Sequence, residues 1–109
     1  MTKLDESLIE LIEELIRTKR EDDWWDFKQC HYEDSASLLH DSICLANNRS
    51  NRDAYLIFGV EDNTFNIIGV ENDPKRKKQQ NVVDFLRLPN FAGQTRPRVE
   101  VRIYRRTWD

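Results

Sequence analysis

Residues 54–60 read AYLIFGV, and this stretch decides the fold class. It carries no charged side chain, and an apolar run of this length predicts a strand that is buried on both faces of a sheet. A sheet that is covered on both faces needs helices packed above and below it. The segments on either side of the run therefore decide whether such helices exist.

Two segments that precede the run predict helices. Residues 5–18 place Leu and Ile at helical spacing among acidic residues, which indicates an amphipathic helix. Farther along, Ser35 is the predicted N-cap of a helix that runs through Ala46 and ends before the polar segment NNRSNRD. Cys44 falls on this second helix, where we expect it to be a small core residue.

The segment between these helices, residues 23–29, predicts a strand. Its alternation places Trp25 on one face and Trp24, Asp26 and Lys28 on the other. We expect Trp25 to pack in the core. Trp24, on the charged face, is the better candidate for a contact with a partner, such as stacking on a nucleic-acid base.

The sequence after the apolar run predicts three further elements. EDNT at residues 61–64 indicates a turn, and FNIIGV at 65–70 then predicts the hairpin partner of the apolar strand. PKRKKQQNVVDFLRL at 74–88 begins with proline and predicts a third helix. RVEVRIYRR at 98–106 alternates apolar and charged residues, which predicts a last strand.

These elements predict one α/β (α+β) domain over residues 1–109, with helices packed on a mixed sheet. The chain stops directly after a strand-like run, so it is also consistent with an N-terminal fragment of a longer protein. It shows neither a long apolar span nor a signal peptide, and we expect a cytoplasmic protein with no membrane partner. Cys30 and Cys44 are expected to be free thiols.

Charge is distributed unevenly along the chain. Residues 1–74 carry 7 Lys and Arg against 17 Asp and Glu, whereas residues 75–109 carry 10 against 3. Such polarity indicates a basic face that could contact phosphate groups. The alternative is that the acidic and basic parts neutralise each other across the fold.

Four motifs in order, EDDWWDFK, ICLAN, YLIFGVED and IIGV, resemble the Schlafen-type, Alba-like DNA-binding domain. This domain is found at the start of many bacterial proteins described as transcriptional regulators or ATP-binding proteins. The family pattern of Glu, a spacer and then Glu-Phe-Lys is matched by Glu21 and by Asp26 to Lys28, with Asp in place of Glu. One departure is that NRSNRDA replaces the glycine pair that the family has before the central strand.

The resemblance implies a site for cleavage of RNA. Eukaryotic Schlafen proteins cleave structured RNA with three carboxylates, and these correspond to Glu21, Asp26 and Asp62, with Glu61 as the other candidate for the third. Lys28 lies beside them and would neutralise the phosphate. Such a site would bind Mg²⁺ or Mn²⁺ as its cofactor, because clustered carboxylates bind divalent cations that activate water.

The basic residues predict a second function, which is binding of DNA or RNA through phosphate contacts without reading of sequence. We expect nucleic-acid binding in preference to ribonuclease activity. We also expect the domain to be a regulatory module that forms a homodimer. A protein-interaction or dimerisation module is the third alternative. The residues that we expect to contact phosphate are Lys75, Arg76, Lys77, Lys78, Arg96, Arg98, Arg102, Arg105 and Arg106.

Overall fold

The structure, a computed structural model, describes residues 6–61, 63–69, 81–90 and 103–108, and the side chains of residues 81, 82, 103 and 106–108 are not described. Two helices and four strands make up this part of the chain. They are α1 (Glu6–Arg17), β1 (Trp25–Lys28), α2 (Ser35–Ala46), β2 (Ala54–Phe58), β3 (Asn81–Leu88) and β4 (Ile103–Trp108).

The four strands form one sheet in the order β1-β2-β3-β4. β1 and β2 are parallel, and α2 is the crossover that connects them. β3 pairs antiparallel with β2, and β4 pairs antiparallel with β3. The sheet is therefore mixed, which confirms the predicted α+β class. Because β1 and β2 are parallel, the segments that precede them meet at one end of the sheet.

β2 lies in the centre and is buried along its whole length, as its apolar sequence predicts. Its side chains alternate between two apolar clusters. Tyr55 and Ile57 face α1, whereas Leu56 and Phe58 face α2. Each large apolar side chain that is fully buried contributes about 1.5–3 kcal/mol to folding, so this strand anchors both layers.

The two helices differ in how they cover the sheet. α1 buries one stripe of four residues at helical spacing against the sheet, namely Leu8, Ile12, Leu15 and Ile16. α2 buries Ser42 and Ala46, while Leu39 is 50% exposed. Its N-cap is Asp34, whose carboxylate accepts a hydrogen bond from the Ser37 backbone N–H at 2.7 Å, so the predicted cap at Ser35 is wrong by one residue.

The predicted third helix is wrong over residues 81–88, which form β3, and the rest of that segment lies outside the described residues. Val83, Phe85, Leu86 and Leu88 are all at most 1% exposed. Their spacing suits one side of a helix and equally the two faces of a buried strand. The segment forms a strand because it pairs with β2 on one side and with β4 on the other. This pairing gives hydrogen-bond partners to the backbone N–H and C=O groups of a buried segment.

The hairpin predicted after β2 is reduced to a short turn. Val60 and Ile67 form a single antiparallel bridge, and the Gly59 carbonyl accepts hydrogen bonds from the N–H groups of Ile68 and Gly69. The antiparallel partner of β2 is β3, so the prediction that residues 65–70 form the partner strand is wrong for its described part, residues 65–69. The predicted last strand is confirmed from Ile103 onward, and residues 98–102 lie outside the described part.

Neither α1 nor α2, the helices of the described part, combines the length and the apolar character needed to cross a bilayer.

Candidate nucleic-acid interface and acidic groove

Three of the four residues predicted for RNA cleavage line one open groove beside β1. Glu21, Asp26 and Lys28 share this groove, which has a volume of about 460 Å³. The fourth, Asp62, lies outside the described residues. Glu61, its alternative, is half-buried and pairs through its backbone with Asn66 across the turn. The remaining residues that line the groove are Asp22, Asp23, Trp25, Asp41, Cys44 and Leu45.

The polar groups in the groove contact one another and the neighbouring Tyr32. The Lys28 Nζ lies 3.4 Å from the Asp26 carboxylate and 4.0 Å from that of Asp41. The Tyr32 hydroxyl donates a hydrogen bond to Asp41 at 2.5 Å. Burial, followed by this bond, raises the pKa of Tyr32, and the same bond lowers the pKa of Asp41. Glu21 accepts a long bond of 3.4 Å from the Phe27 N–H.

The groove contains two of the three carboxylates that were predicted to bind a metal ion. Within the described residues, no three His, Cys, Asp or Glu side chains are grouped closely enough to hold a metal ion. Glu21 and Asp26 are the two predicted carboxylates that can be located, and Asp26 is shared with Lys28. The described donor set therefore does not by itself fit a divalent cation.

Sequence reasoning missed an ionic network on the face of the sheet that α2 covers. Asp84 is 1% exposed, and its carboxylate accepts bonds from Arg105 Nε at 2.7 Å and Arg105 Nη2 at 2.9 Å. His31 Nε2 lies 2.9 Å from the second carboxylate oxygen, and its ring stacks on Phe58 with 4.2 Å between centroids. The sequence carried only part of the signal: Asp84 interrupts an apolar run, but the pairing that places Arg105 of β4 opposite it depends on β3 being a strand.

The pKa of Asp84 reflects two opposing influences. Burial alone would raise it, but the hydrogen bonds from Arg105 and His31 outweigh burial, so the pKa is lowered. The carboxylate is therefore ionised at neutral pH. An ionised carboxylate only accepts, so His31 must donate its Nε2 proton to it.

Of the nine basic residues predicted to contact phosphate, only Arg105 has a described side chain, and it is paired with Asp84. Arg106 lies in β4, where its side chain is not described. The others, Lys75, Arg76, Lys77, Lys78, Arg96, Arg98 and Arg102, lie outside the described residues.

A different set of basic residues surrounds two tryptophans at the end of the sheet where β1 and β2 begin. Trp24 and Trp25 pack edge to face with 4.5 Å between ring centroids. The Arg52 guanidinium carbon lies 3.5 Å from the centroid of the Trp24 ring, and that of Arg20 lies 6.0 Å from the Trp25 ring. We refer to Arg20, Trp24, Trp25 and Arg52 as the Trp–Arg cluster.

The loop that carries Arg52, residues 47–53, is held by Asn48. This side chain is 7% exposed, donates to the carbonyl groups of Leu45 at 2.9 Å and Arg52 at 2.6 Å, and accepts from the Arg52 N–H at 3.2 Å. Asn51 has a φ of 51°, in the left-handed region where Asn is tolerated. The loop thus forms a defined turn without the family's glycine pair.

A second anchor joins this loop to the start of β1. Asp23 accepts hydrogen bonds from the Ser50 hydroxyl at 2.8 Å and from the Arg49 N–H at 3.1 Å. The bond from Ser50 is the main reason that the pKa of Asp23 is lowered. Arg49 and Arg52 are therefore presented on a turn that is tied to the segment bearing Trp24.

The structure also bears on two expectations about individual side chains. Cys44 is exposed and lines the acidic groove, so its assignment to the core is wrong, although Cys30 and Cys44 are both free as expected. Trp24 is half-buried and packs against Trp25 and Tyr55. Its contact with Arg52 occupies a ring face that a partner would otherwise use.

Comparison of the chain with curated proteins and with solved structures gave no match. A family model described as Schlafen, AlbA_2 matches residues 21–109, which include β1, α2 and the rest of the sheet but not α1. This agrees with the resemblance read from the four motifs, and it suggests a domain of a nucleic-acid-binding type. The chain belongs to the Schlafen, AlbA_2 family.

Proposed function

We propose that this chain is a nucleic-acid-binding domain, of the DNA-binding type that serves as a module of transcriptional regulators. Membership of the AlbA_2 family supports the general class. The observation that carries the proposal to particular residues is the distribution of basic side chains that have no carboxylate partner, because such groups are free to contact phosphate.

The basic side chains of the described residues divide into two groups. Arg17, Lys28, Arg87 and Arg105 each form an ion pair with a carboxylate. By contrast, Lys19, Arg20, Arg49 and Arg52 are exposed and have no such pair within the described part of the chain. All four lie on the two loops that precede β1 and β2, so they share one end of the sheet.

The acidic residues of these loops limit how strongly that end attracts a polyanion. Glu21, Asp22 and Asp23 lie in the same loop as Arg20 and keep the local net charge small. The Asp23 carboxylate is directed into hydrogen bonds with the neighbouring loop. Binding should therefore depend on a few direct contacts and on the more basic segments at 75–78 and 96–106, and it should weaken as salt rises.

Fluorescence anisotropy with labelled DNA and RNA oligonucleotides at several salt concentrations tests the proposal. Arg49→Ala should weaken binding and make the dependence of log K on log salt shallower by about 0.7–0.9 of a unit, because one phosphate contact is lost. The matched control is Arg17→Ala, since Arg17 is also exposed but already pairs with Glu14 at 2.8 Å. Binding that does not respond to salt, or equal loss in both variants, would refute the proposal.

The metal-dependent ribonuclease is the second candidate, favoured by the shared groove of Glu21, Asp26 and Lys28. In that case RNA should fragment when Mg²⁺ or Mn²⁺ is added, and Asp26→Ala should abolish the cleavage. Asp62→Ala should do the same if Asp62 is the third carboxylate. Fragmentation that continues at the same rate in both variants would remove these residues from the reaction.

The interaction module is the third candidate, favoured by the exposed apolar side chains of α2. Leu39 and Ile43 lie one helical turn apart and are 50% and 37% exposed. If this face holds a homodimer, sedimentation should show two copies per particle and Leu39→Glu should yield monomers. A wild-type chain that sediments as a monomer would exclude it.

A further inference from the structure

Arg52 is positioned to do more than attract a phosphate. We propose that the Arg52 guanidinium, stacked on Trp24, is a platform for an unpaired nucleobase, so that the domain prefers single-stranded nucleic acid to duplex. This inference rests on the proposed function and names the class of nucleic acid that the domain would bind.

The first support is the stacking geometry. The guanidinium carbon of Arg52 lies over the Trp24 ring, 3.5 Å from its centroid. At so short a separation the guanidinium plane fits only roughly parallel to the ring, because an upright orientation would bring a nitrogen too close to the ring atoms. One face of the guanidinium is thereby covered by the indole. Because Arg52 is exposed as a whole, we expect the opposite face to be accessible to a flat ligand. Nucleobases stack on guanidinium planes as they do on aromatic rings.

The second support is that both partners of the stack are held in place before any ligand binds. Asn48 bonds to the backbone N–H and the carbonyl of Arg52, at 3.2 Å and 2.6 Å. Trp24 is fixed by edge contacts with Trp25 and with Tyr55, whose centroid lies 6.1 Å away. Pre-ordered groups lose little conformational entropy on binding, so a base that stacks here retains most of the contact energy.

The third support is the state of the N–H donors. Within the described residues the guanidinium of Arg52 forms neither an ion pair nor a hydrogen bond, while its backbone accounts for every bond that the residue makes. Its donors project around the rim of the plane. A base stacked on the plane would therefore place its own phosphate near these donors, and near the exposed Arg49 on the same loop.

The preference for single strands follows from which surfaces of a nucleic acid are accessible. In a duplex the faces of the bases are covered by their neighbours, so a stacking platform adds nothing to phosphate contacts. In a single strand the faces can be exposed, and each base that stacks on a side chain contributes substantially to binding. The duplex can use only the charge of Arg52.

The experiment compares Arg52→Lys with the wild-type chain, using a labelled fifteen-nucleotide thymidine oligomer and a duplex of the same length. Lysine keeps the charge and loses the plane. We expect Arg52→Lys to weaken single-strand binding by about 5- to 30-fold, with an unchanged salt slope and with duplex binding altered less than 2-fold. Arg17→Lys, on the exposed face of α1, is the matched control and should change neither.

The outcomes separate this inference from the proposed function. If the wild type binds single strand and duplex equally, or if Arg52→Lys weakens both to the same degree, the platform is refuted while nucleic-acid binding stands. If neither nucleic acid binds at any salt concentration, both are refuted. Thermal unfolding of each variant verifies that the fold is intact, which is expected because Arg52 is exposed.

Discussion

Replacing Asp84 by Asn should destabilise the fold by about 2–3 kcal/mol. The carboxylate is 1% exposed and receives three hydrogen bonds, two from Arg105 and one from His31. Removing one partner of a buried pair typically costs about 3–5 kcal/mol. We expect a loss at or just below the lower end of that range, because Arg105 and His31 are 51% and 41% exposed and water can solvate the donor groups that lose the carboxylate.

Equilibrium unfolding in urea measures this effect. With a slope of about 1.5 kcal/mol per molar urea, the midpoint should fall by roughly 1.3–2 M. The matched control is Asp53→Asn, because Asp53 pairs with Arg87 at 2.8 Å but is 34% exposed. An exposed pair contributes at most about 1 kcal/mol. Equal losses in the two variants, or a loss below about 1 kcal/mol for Asp84→Asn, would show that burial does not make this network important for stability.

Three further outcomes can be measured in the same way. Folding lowers the pKa of Asp84, so its ionised form stabilises the fold above the ordinary Asp pKa of about 4. This stabilisation should be lost as the pH falls from there through the lowered pKa. The prediction is contradicted if the free energy of unfolding of Asp84→Asn has the same pH dependence as that of the wild type. Phe27→Ala should lower the free energy of unfolding by about 3–5 kcal/mol, because Phe27 of β1 is 2% exposed in the core cluster that includes α1, and a loss under about 1 kcal/mol would argue against that packing. Asn48→Ala should cost about 1–3 kcal/mol and weaken nucleic-acid binding, since it frees both backbone groups of Arg52; an unaltered urea midpoint would refute the role of Asn48 in holding the loop.

The elements that the sequence predicted best are those with a single consistent pattern. α1 has one apolar stripe on an acidic background, and β2 has an apolar run too short for a core helix. Residues 81–88 were misassigned because their apolar spacing is compatible with either structure, and the preceding proline favoured a helix although the basic residues after it oppose the helix dipole. Only the pairing of β3 between two other strands distinguishes the alternatives, and pairing is not a local property.

The candidate site could be predicted only where its residues are close together in sequence. Glu21, Asp26 and Lys28 lie close together in sequence, so local geometry brings them to one groove. Trp24 and Arg52 are far apart in sequence, and their contact depends on the parallel pairing of β1 with β2, which aligns the residues just before each strand. The contact between His31 and Asp84 likewise requires β3 to be a strand. Tertiary topology therefore creates the contacts that single motifs could not indicate.

The position of β1 at the end of the described sheet has a consequence for solubility. An outermost strand offers unpaired backbone groups to other molecules, which can lead to aggregation. β1 is only four residues long, and two of these are the charged Asp26 and Lys28, which form an ion pair. Replacing both Asp26 and Lys28 by apolar residues should therefore create an aggregation-prone edge strand, and the variant should precipitate as its concentration rises.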